Sequence, residues 1–320
     1  MGDCTRAWVA GKDVTPMSNR AKGAFLTAFG GICWGVSGCI GQSLFSRQHM
    51  DSRWLVPIRL FLAGLIMGVF FFFKDRKQFF APFKNRRNVI DLLIYGIAGV
   101  SCSQFLYFTT IQYSTAGVAT IMQDLFPAIV LIIVCISGHR APRLSEIGSI
   151  VLALGGVFLL TTHGSLTELA ISPIALTAGV LSAFCVVIYN MWPKNLQKQF
   201  PTPVLQSWAF LLGGGLALLV FQPWTMGYVP NGYGLLGIAC VVIIGNILAF
   251  TCYMQGVKLI GAQKASLYSF AEPVTAAIIS TFVLGSPFTM WDALGFACIF
   301  IMLVLLSLPE KKHSGVETAC

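Results

Sequence analysis

The chain has 320 residues, 56% of them hydrophobic and only 10% charged, with a mean hydropathy of +0.77. Ordinary soluble domains carry roughly 25% charged residues, so this composition excludes a water-soluble globule. The net charge of +9 sits in short loops with no basic helical stripe and no nucleic-acid motif, which excludes nucleic acid as a partner.

Residues 1–22 carry charges but no short apolar core ahead of a cleavage site, and read as a cytoplasmic tail, not a removable signal. Gly23 to Ser46 follows as 24 residues without a charge. A bilayer core of about 30 Å is crossed by about 20 apolar residues, so this run is one span. Further spans are expected at 54–73, 89–112, 115–137 and 145–163, then at 171–192, 204–222, 232–257, 262–285 and 289–308, with a second cytoplasmic tail at 309–320. The uncharged run from Gln199 to Val257, 59 residues long, holds two spans and a turn. Runs of this length satisfy their backbone in lipid as helices. The expected fold class is an all-α polytopic membrane protein of ten transmembrane helices.

Trp54, Trp192, Trp224, Tyr228, Tyr233 and Trp291 fall near span ends, where amphipathic rings anchor at the interface. Of the 21 Lys and Arg residues, 18 lie on the side of the N-terminus, Arg47 and Arg53 lie opposite, and Arg59 lies inside the second span. By the positive-inside rule both termini are cytoplasmic in the cell (inner) membrane. The basic stretch 74–87 reads as a topology-setting loop touching anionic headgroups, with a lipid-binding regulatory element as the alternative. Asp91 opens the third span, where a helix N-terminus favours an anion, and is read as structural.

The two halves repeat. The segment beginning at Phe105 aligns without gaps on the one beginning at Thr251, pairing Tyr107 with Tyr253, Ala116 with Ala262, Ala119 with Ala265 and Pro127 with Pro273. The chain then divides into repeats at 23–163 and 171–308, each of five spans. An odd number of spans sends the second half into the membrane from the opposite side, so the repeats are inverted, an arrangement that recurs in secondary transporters.

Three stretches carry a family resemblance: PIRLFLAGLIMG in span 2, YSTAGVATIMQDLFPAIV across spans 3 and 4, and SLYSFAEPVTAAI in span 9. Together they resemble the drug/metabolite transporter superfamily and, within it, the EamA-domain exporters, over about Lys22 to Pro309. The resemblance implies a ten-helix inverted-repeat fold and small substrates such as amino acids, other metabolites or organic cations. Asp124 departs from the repeat, because its aligned position in the second half is Phe270.

Ionisable side chains inside a bilayer cost about 2.5–3.5 kcal/mol each on insertion scales, so the few present narrow the search. Asp124 and Glu272 lie about nine and ten residues into their spans, roughly 14–15 Å deep at 1.5 Å per residue. Each stands beside a proline, which frees a carbonyl and bends a helix. They are expected to border a central cavity and to contact a substrate amine, a proton or both; the alternative is a structural hydrogen-bonding role. Arg59 either snorkels to the outer interface, pairs with a buried acid or binds a substrate carboxylate. One positive and two negative intramembrane charges tilt the site toward amine-bearing substrates. Secondary lining candidates are Gln123, Thr120, Tyr268 and Ser269 by helical spacing, the matched Tyr107 and Tyr253, the amides Gln104 and Asn246, and Trp34 and Tyr189. Such residues also serve simply to join neighbouring helices.

The glycines of span 1 and the GGG at 213–215 read as close helix contacts or as a moving gate. The ten cysteines show no CxxC pair and the four histidines no HExxH, so neither a metal nor a cofactor is expected. With no GxSxG or P-loop, an enzyme or an ATP-driven pump is not expected either. A receptor or scaffold lacks a sizeable soluble domain, and a channel is disfavoured by the inverted repeat. The expected function is secondary-active export of small amine-bearing metabolites, amino acids first, by a monomer or homodimer embedded in membrane lipid. The alternative is efflux of organic cations or drugs, in exchange for protons.

Overall fold

The structure, a computed structural model, describes residues 19–139, 141–165, 169–192, 194–261, 265 and 268–307. Among these residues the chain is helical and has no strand. The main helices are α1 (Asn19–Gln48), α2 (Ser52–Lys74), α3 (Arg86–Tyr113), α4 (Ala116–Ser137) and α5 (Leu144–Thr162). The second half supplies α6 (Pro173–Met191), α7 (Thr202–Phe221), α8 (Gly232–Ile260), α9 (Ala271–Phe282) and α10 (Met290–Ser307).

Seven of these, α1–α4 and α6–α8, are long and apolar enough to cross a membrane. The other expected spans fall on shorter apolar helices: Glu146–Thr162 within α5, Met290–Leu306 within α10, and the 12-residue α9. Residues 262–264, 266 and 267 of the ninth expected span lie outside the described residues, as do both expected tails save residues 19–22.

Two helices break where proline predicts. In α4 the helix stops at Gln123, passes through a turn at Asp124 and Leu125, and resumes at Phe126. Pro127 has no N–H to give the Gln123 carbonyl, so the ladder cannot run through. In the second half Ser269 and Phe270 form a turn before α9, and Pro273 stands in the first turn of that helix. The two turns occupy matched places in the repeat.

A second matched irregularity was not expected. Ile94–Ser101 of α3 and Val241–Leu248 of α8 are π-helical, eight residues each. The wider π turn inserts an extra residue and rotates the following face. It leaves Tyr95 and Ser101 buried in one half and Asn246 in the other.

The halves interlock by exchange. The helix α1 packs on α8 and α9, while α6 packs on α3 and α4; α2 packs on α7, and α5 on α10. At the α2–α7 crossing, a Cβ on Gly64 would stand 2.6 Å from the Leu211 nitrogen, and one on Gly214 would stand 2.5 Å from the Phe61 nitrogen. Only glycine allows this approach, in the manner of small-residue contacts between membrane helices. The basic loop after α2 is folded as two short turns, Arg76–Phe80 and Ala81–Lys84. Trp208 clamps it, donating Nε1 to the Phe79 carbonyl at 2.8 Å and stacking on the Phe79 ring at 4.6 Å.

Candidate functional site

Asp124 sits in the turn that breaks α4, and Glu272 in the first turn of α9. Both are half-buried, and Glu272 lies within the electrostatic reach of Asp124. Among the described residues neither carboxyl has a hydrogen-bond donor or an ion-pair partner. Both costly groups stand beside helix breaks. Each is carried where the backbone already departs from a regular ladder, and α1 packs on α9 and α6 on α4, the helices that carry the two breaks.

Tyr107 is buried, its hydroxyl 3.0 Å from Thr120 Oγ1, which in turn donates to the Ala116 carbonyl at 2.8 Å. Tyr107 lies in the electrostatic reach of both Glu272 and Arg59. Tyr189 lies within the electrostatic reach of both acids and of Tyr253, and Tyr253 within that of Glu272. The Trp34 ring packs on Tyr253 with centroids 5.2 Å apart. Gln123 donates to Ser103 Oγ at 3.0 Å, a link between α4 and α3. Ser269 is in the turn before α9, its carbonyl 2.9 Å from where a Cβ on Gly31 of α1 would stand. Tyr268 is 40% exposed, and among the described residues no hydrogen bond ties it to either acid.

The Arg59 side chain is enclosed by the bundle, and among the described residues no acid lies within ion-pair distance of it. It is 2% exposed, because α2 starts at Ser52 and packs against α7 and α3, which carries Arg59 two turns into the bundle. Its Nη2 donates to Gln104 Oε1, and its guanidinium lies 3.8 Å above the Phe108 ring. Its Nε has no partner, and neither has Asn246 Nδ2 on the π segment of α8.

Sequence reasoning missed Gln42. Its Oε1 accepts from the Ala116 nitrogen and from Ser280 Oγ, each at 2.9 Å, and its Nε2 donates to Ser286 Oγ at 2.7 Å. One amide thus ties α1 to the start of α4 and the end of α9. Cys39, three residues earlier, donates to the Ala276 carbonyl at 3.4 Å. Gln42 lies on the glycine face of α1, seven residues after Gly35, and that spacing was the available signal. Two cavities border this knot. One of about 360 Å³ is lined by Gln42 and by Ile111–Ser114. The other, about 290 Å³, reaches Ser280, Ser286 and Asp292, where His163 Nε2 stands 3.1 Å from Asp292 Oδ1. Ala116 and Ser280 are each eight residues from Asp124 and Glu272, roughly 12 Å along their helices. The knot therefore stands between these cavities and the acids. Among the described residues no group of His, Cys, Asp or Glu has the arrangement of a metal site.

The chain matches the EamA-like transporter family twice, over residues 21–162 and over residues 173–308. It is 34% identical to the uncharacterized inner membrane transporter YicL of Salmonella typhimurium, over 93% of this chain and 99% of that one. It is 25% identical to the uncharacterized transporter YyaM of Bacillus subtilis, over 69% of this chain and 74% of the other. A solved crystal structure of a protein only 16% identical shares the fold, with a TM-score of 0.59 over 89% of this chain and 96% of that chain. The two family matches, the inner-membrane relative covered from end to end and the paired helix breaks converge: the chain belongs to the EamA-like transporter family, within the drug/metabolite transporter superfamily.

Proposed function

We propose that the protein is a secondary-active transporter of the inner membrane that exports small amine-bearing metabolites, amino acids first, by alternating access. The observation that carries this reading is the pair Asp124 and Glu272: two carboxyls at matched helix breaks, Glu272 within the electrostatic reach of Asp124, and both without protein partners among the described residues. Acids at that depth without a counter-ion are expensive unless a cation or a proton completes them. An ammonium group supplies the charge, and the rings of Trp34, Tyr107 and Tyr253 supply faces for it. Either carboxyl also serves as the coupling proton site.

The same reading takes the chain as ten spans in two inverted five-helix halves, with both termini cytoplasmic. Its support is the exchange packing, in which the first helix of each half lies on the third and fourth of the other, and the matched π segments and breaks. Inverted halves of this kind rock about a midplane site in secondary transporters. A second reading is efflux of organic cations or drugs, favoured by the same two acids and by the tilted Trp34–Tyr253 ring pair.

The test is uptake into proteoliposomes across a panel of amino acids and organic cations, with and without an imposed pH gradient, alongside Glu272→Gln. Saturable uptake of amino acids that the variant loses supports the first reading. Saturable uptake of organic cations alone selects the second. Transport by Glu272→Gln and Asp124→Asn at the wild-type rate and pH dependence removes the acids from the site.

A further inference from the structure

Lys74 ends α2 and Arg86 opens α3, and both helices are long and apolar enough to cross a membrane. Residues 75–85 are therefore held at the membrane surface between two spans. The stretch 74–87 carries six basic residues, Lys74, Arg76, Lys77, Lys84, Arg86 and Arg87, against one acid, Asp75. All six are exposed, and none has an ion-pair partner among the described residues. The acids beside them are already engaged. Asp75 accepts from the Gln78 N–H at 3.0 Å, and Asp91, in the second turn of α3, accepts from Trp192 Nε1 at 3.1 Å.

Such a charged loop attracts anionic lipid only diffusely unless its shape is fixed, and here it is fixed. Phe79 and Pro82 are buried. The Phe79 ring stacks on Trp208 of α7, and the Phe83 ring meets the same indole edge-on at 4.5 Å. Along the chain, three cations precede this anchored patch and three follow it. Phe73 and Phe80 stay exposed among them. The Arg76 guanidinium lies 5.0 Å over the Phe72 ring and the Lys74 ammonium 5.6 Å over the Phe70 ring. Long cationic side chains rest their stems on apolar surface in this way and keep their heads at headgroup level. The second half joins the same surface through the short helix Lys194–Gln199, where Gln199 Oε1 accepts from Asn88 Nδ2 at 3.5 Å and Lys198 is exposed.

We propose that this surface is a binding site for an anionic glycerophospholipid, its phosphodiester held by the basic residues on either side of the Trp208 anchor and its acyl chains covering Phe73 and Phe80. Arginine takes a phosphate through two parallel hydrogen bonds, and each basic residue near an anionic membrane surface is worth about 5-fold in binding. An acidic soluble protein would match the charges, but exposed rings at the end of a membrane span are covered by acyl chains.

The test is native mass spectrometry of the whole protein in detergent, titrated with dioleoylphosphatidylglycerol or with dioleoylphosphatidylcholine, whose acyl chains are the same. The wild type is expected to bind the first phosphatidylglycerol about 10-fold or more tightly than the first phosphatidylcholine. The triple variant Lys84→Gln, Arg86→Gln, Arg87→Gln brings that ratio to within about 2-fold, while Arg20→Gln with Lys22→Gln, on α1, leaves it at the wild-type value. Trp208→Ala keeps every charge and releases the anchor; it lowers the ratio several-fold and carries the test if the triple variant does not fold. A wild-type protein that binds the two lipids equally overturns the proposal. So does a wild-type ratio in either the triple variant or Trp208→Ala once folded, or an equal loss in the Arg20 and Lys22 control, which would reduce the preference to a count of charges. A polyglutamate peptide that binds and is not displaced by phosphatidylglycerol would give the surface to an acidic protein instead.

Discussion

Asp124 and Glu272 come from opposite halves of the chain, yet each stands beside a helix break and Glu272 lies within the electrostatic reach of Asp124. Neither acid has a protein partner among the described residues, so neither is held there by a structural hydrogen bond. Glu272→Gln is therefore expected to lower uptake by 10-fold or more while leaving the melting temperature of the purified protein unchanged or raised. The sign follows from removing a charge whose insertion costs about 2.5–3.5 kcal/mol. A variant that melts several degrees lower would identify Glu272 as a structural partner instead.

The α2–α7 crossing supplies a stability prediction. A Cβ on Gly64 or Gly214 meets backbone atoms at 2.6 Å and 2.5 Å, and backbone cannot yield as a flexible side chain can. Gly64→Leu and Gly214→Leu should each cost about 1–3 kcal/mol or more by overpacking. Size-exclusion profiles and melting in detergent read the loss, and a monodisperse Gly64→Leu protein of wild-type stability would contradict the close packing.

Gln42 joins α1, α4 and α9 through three hydrogen bonds. Gln42→Leu strands the buried Ala116 N–H, at a cost of about 1–3 kcal/mol. It also loosens the knot beside Cys39, which is 3% exposed. Cys39 is then expected to react with a hydrophilic thiol reagent at least several-fold faster than in the parent, each measured with the other cysteines replaced. An unchanged rate would mean that the knot does not control access to this region.

Trp208 holds the basic loop by one hydrogen bond and by stacking on Phe79. Trp208→Ala should free the turns at Arg76–Phe80 and Ala81–Lys84, so trypsin should cleave the detergent-solubilised protein there faster than the wild type. Equal cleavage rates would show that the loop holds its shape without the clamp.

Much of the helical framework was legible in the sequence because hydropathy is a local property. The expected span 54–73 is the helix Ser52–Lys74, 171–192 is Pro173–Met191, and 204–222 is Thr202–Phe221. The breaks of α4 and before α9 were legible for the same reason, since Pro127 and Pro273 act on carbonyls within their own turn. The π segments carry no comparable mark: Ile94–Ser101 and Val241–Leu248 read as ordinary apolar helix.

The site was legible in its chemistry and not in its partnerships. An acid in an apolar run announces itself by its cost, which is why Asp124 and Glu272 stood out. Tyr268 illustrates the opposite case. Helical spacing put it on the face of Glu272, but the turn at Ser269 and Phe270 interrupts the helix between them and leaves Tyr268 exposed. Gln42 escaped notice because its three partners lie on α4, on α9 and beyond the end of α9.

By itself the sequence determined the membrane class, the places where helices run or break, and the short list of charges the bilayer must accommodate. All of these depend on the chemistry of residues near one another along the chain. Only the tertiary structure decided that α1 crosses to α8 and α9, that Arg59 is sealed under Phe108 with Gln104, and that the two acids have no protein partner among the described residues. Those outcomes depend on which faces meet after folding, and glycine contacts such as Gly64 on Leu211 set how closely they meet.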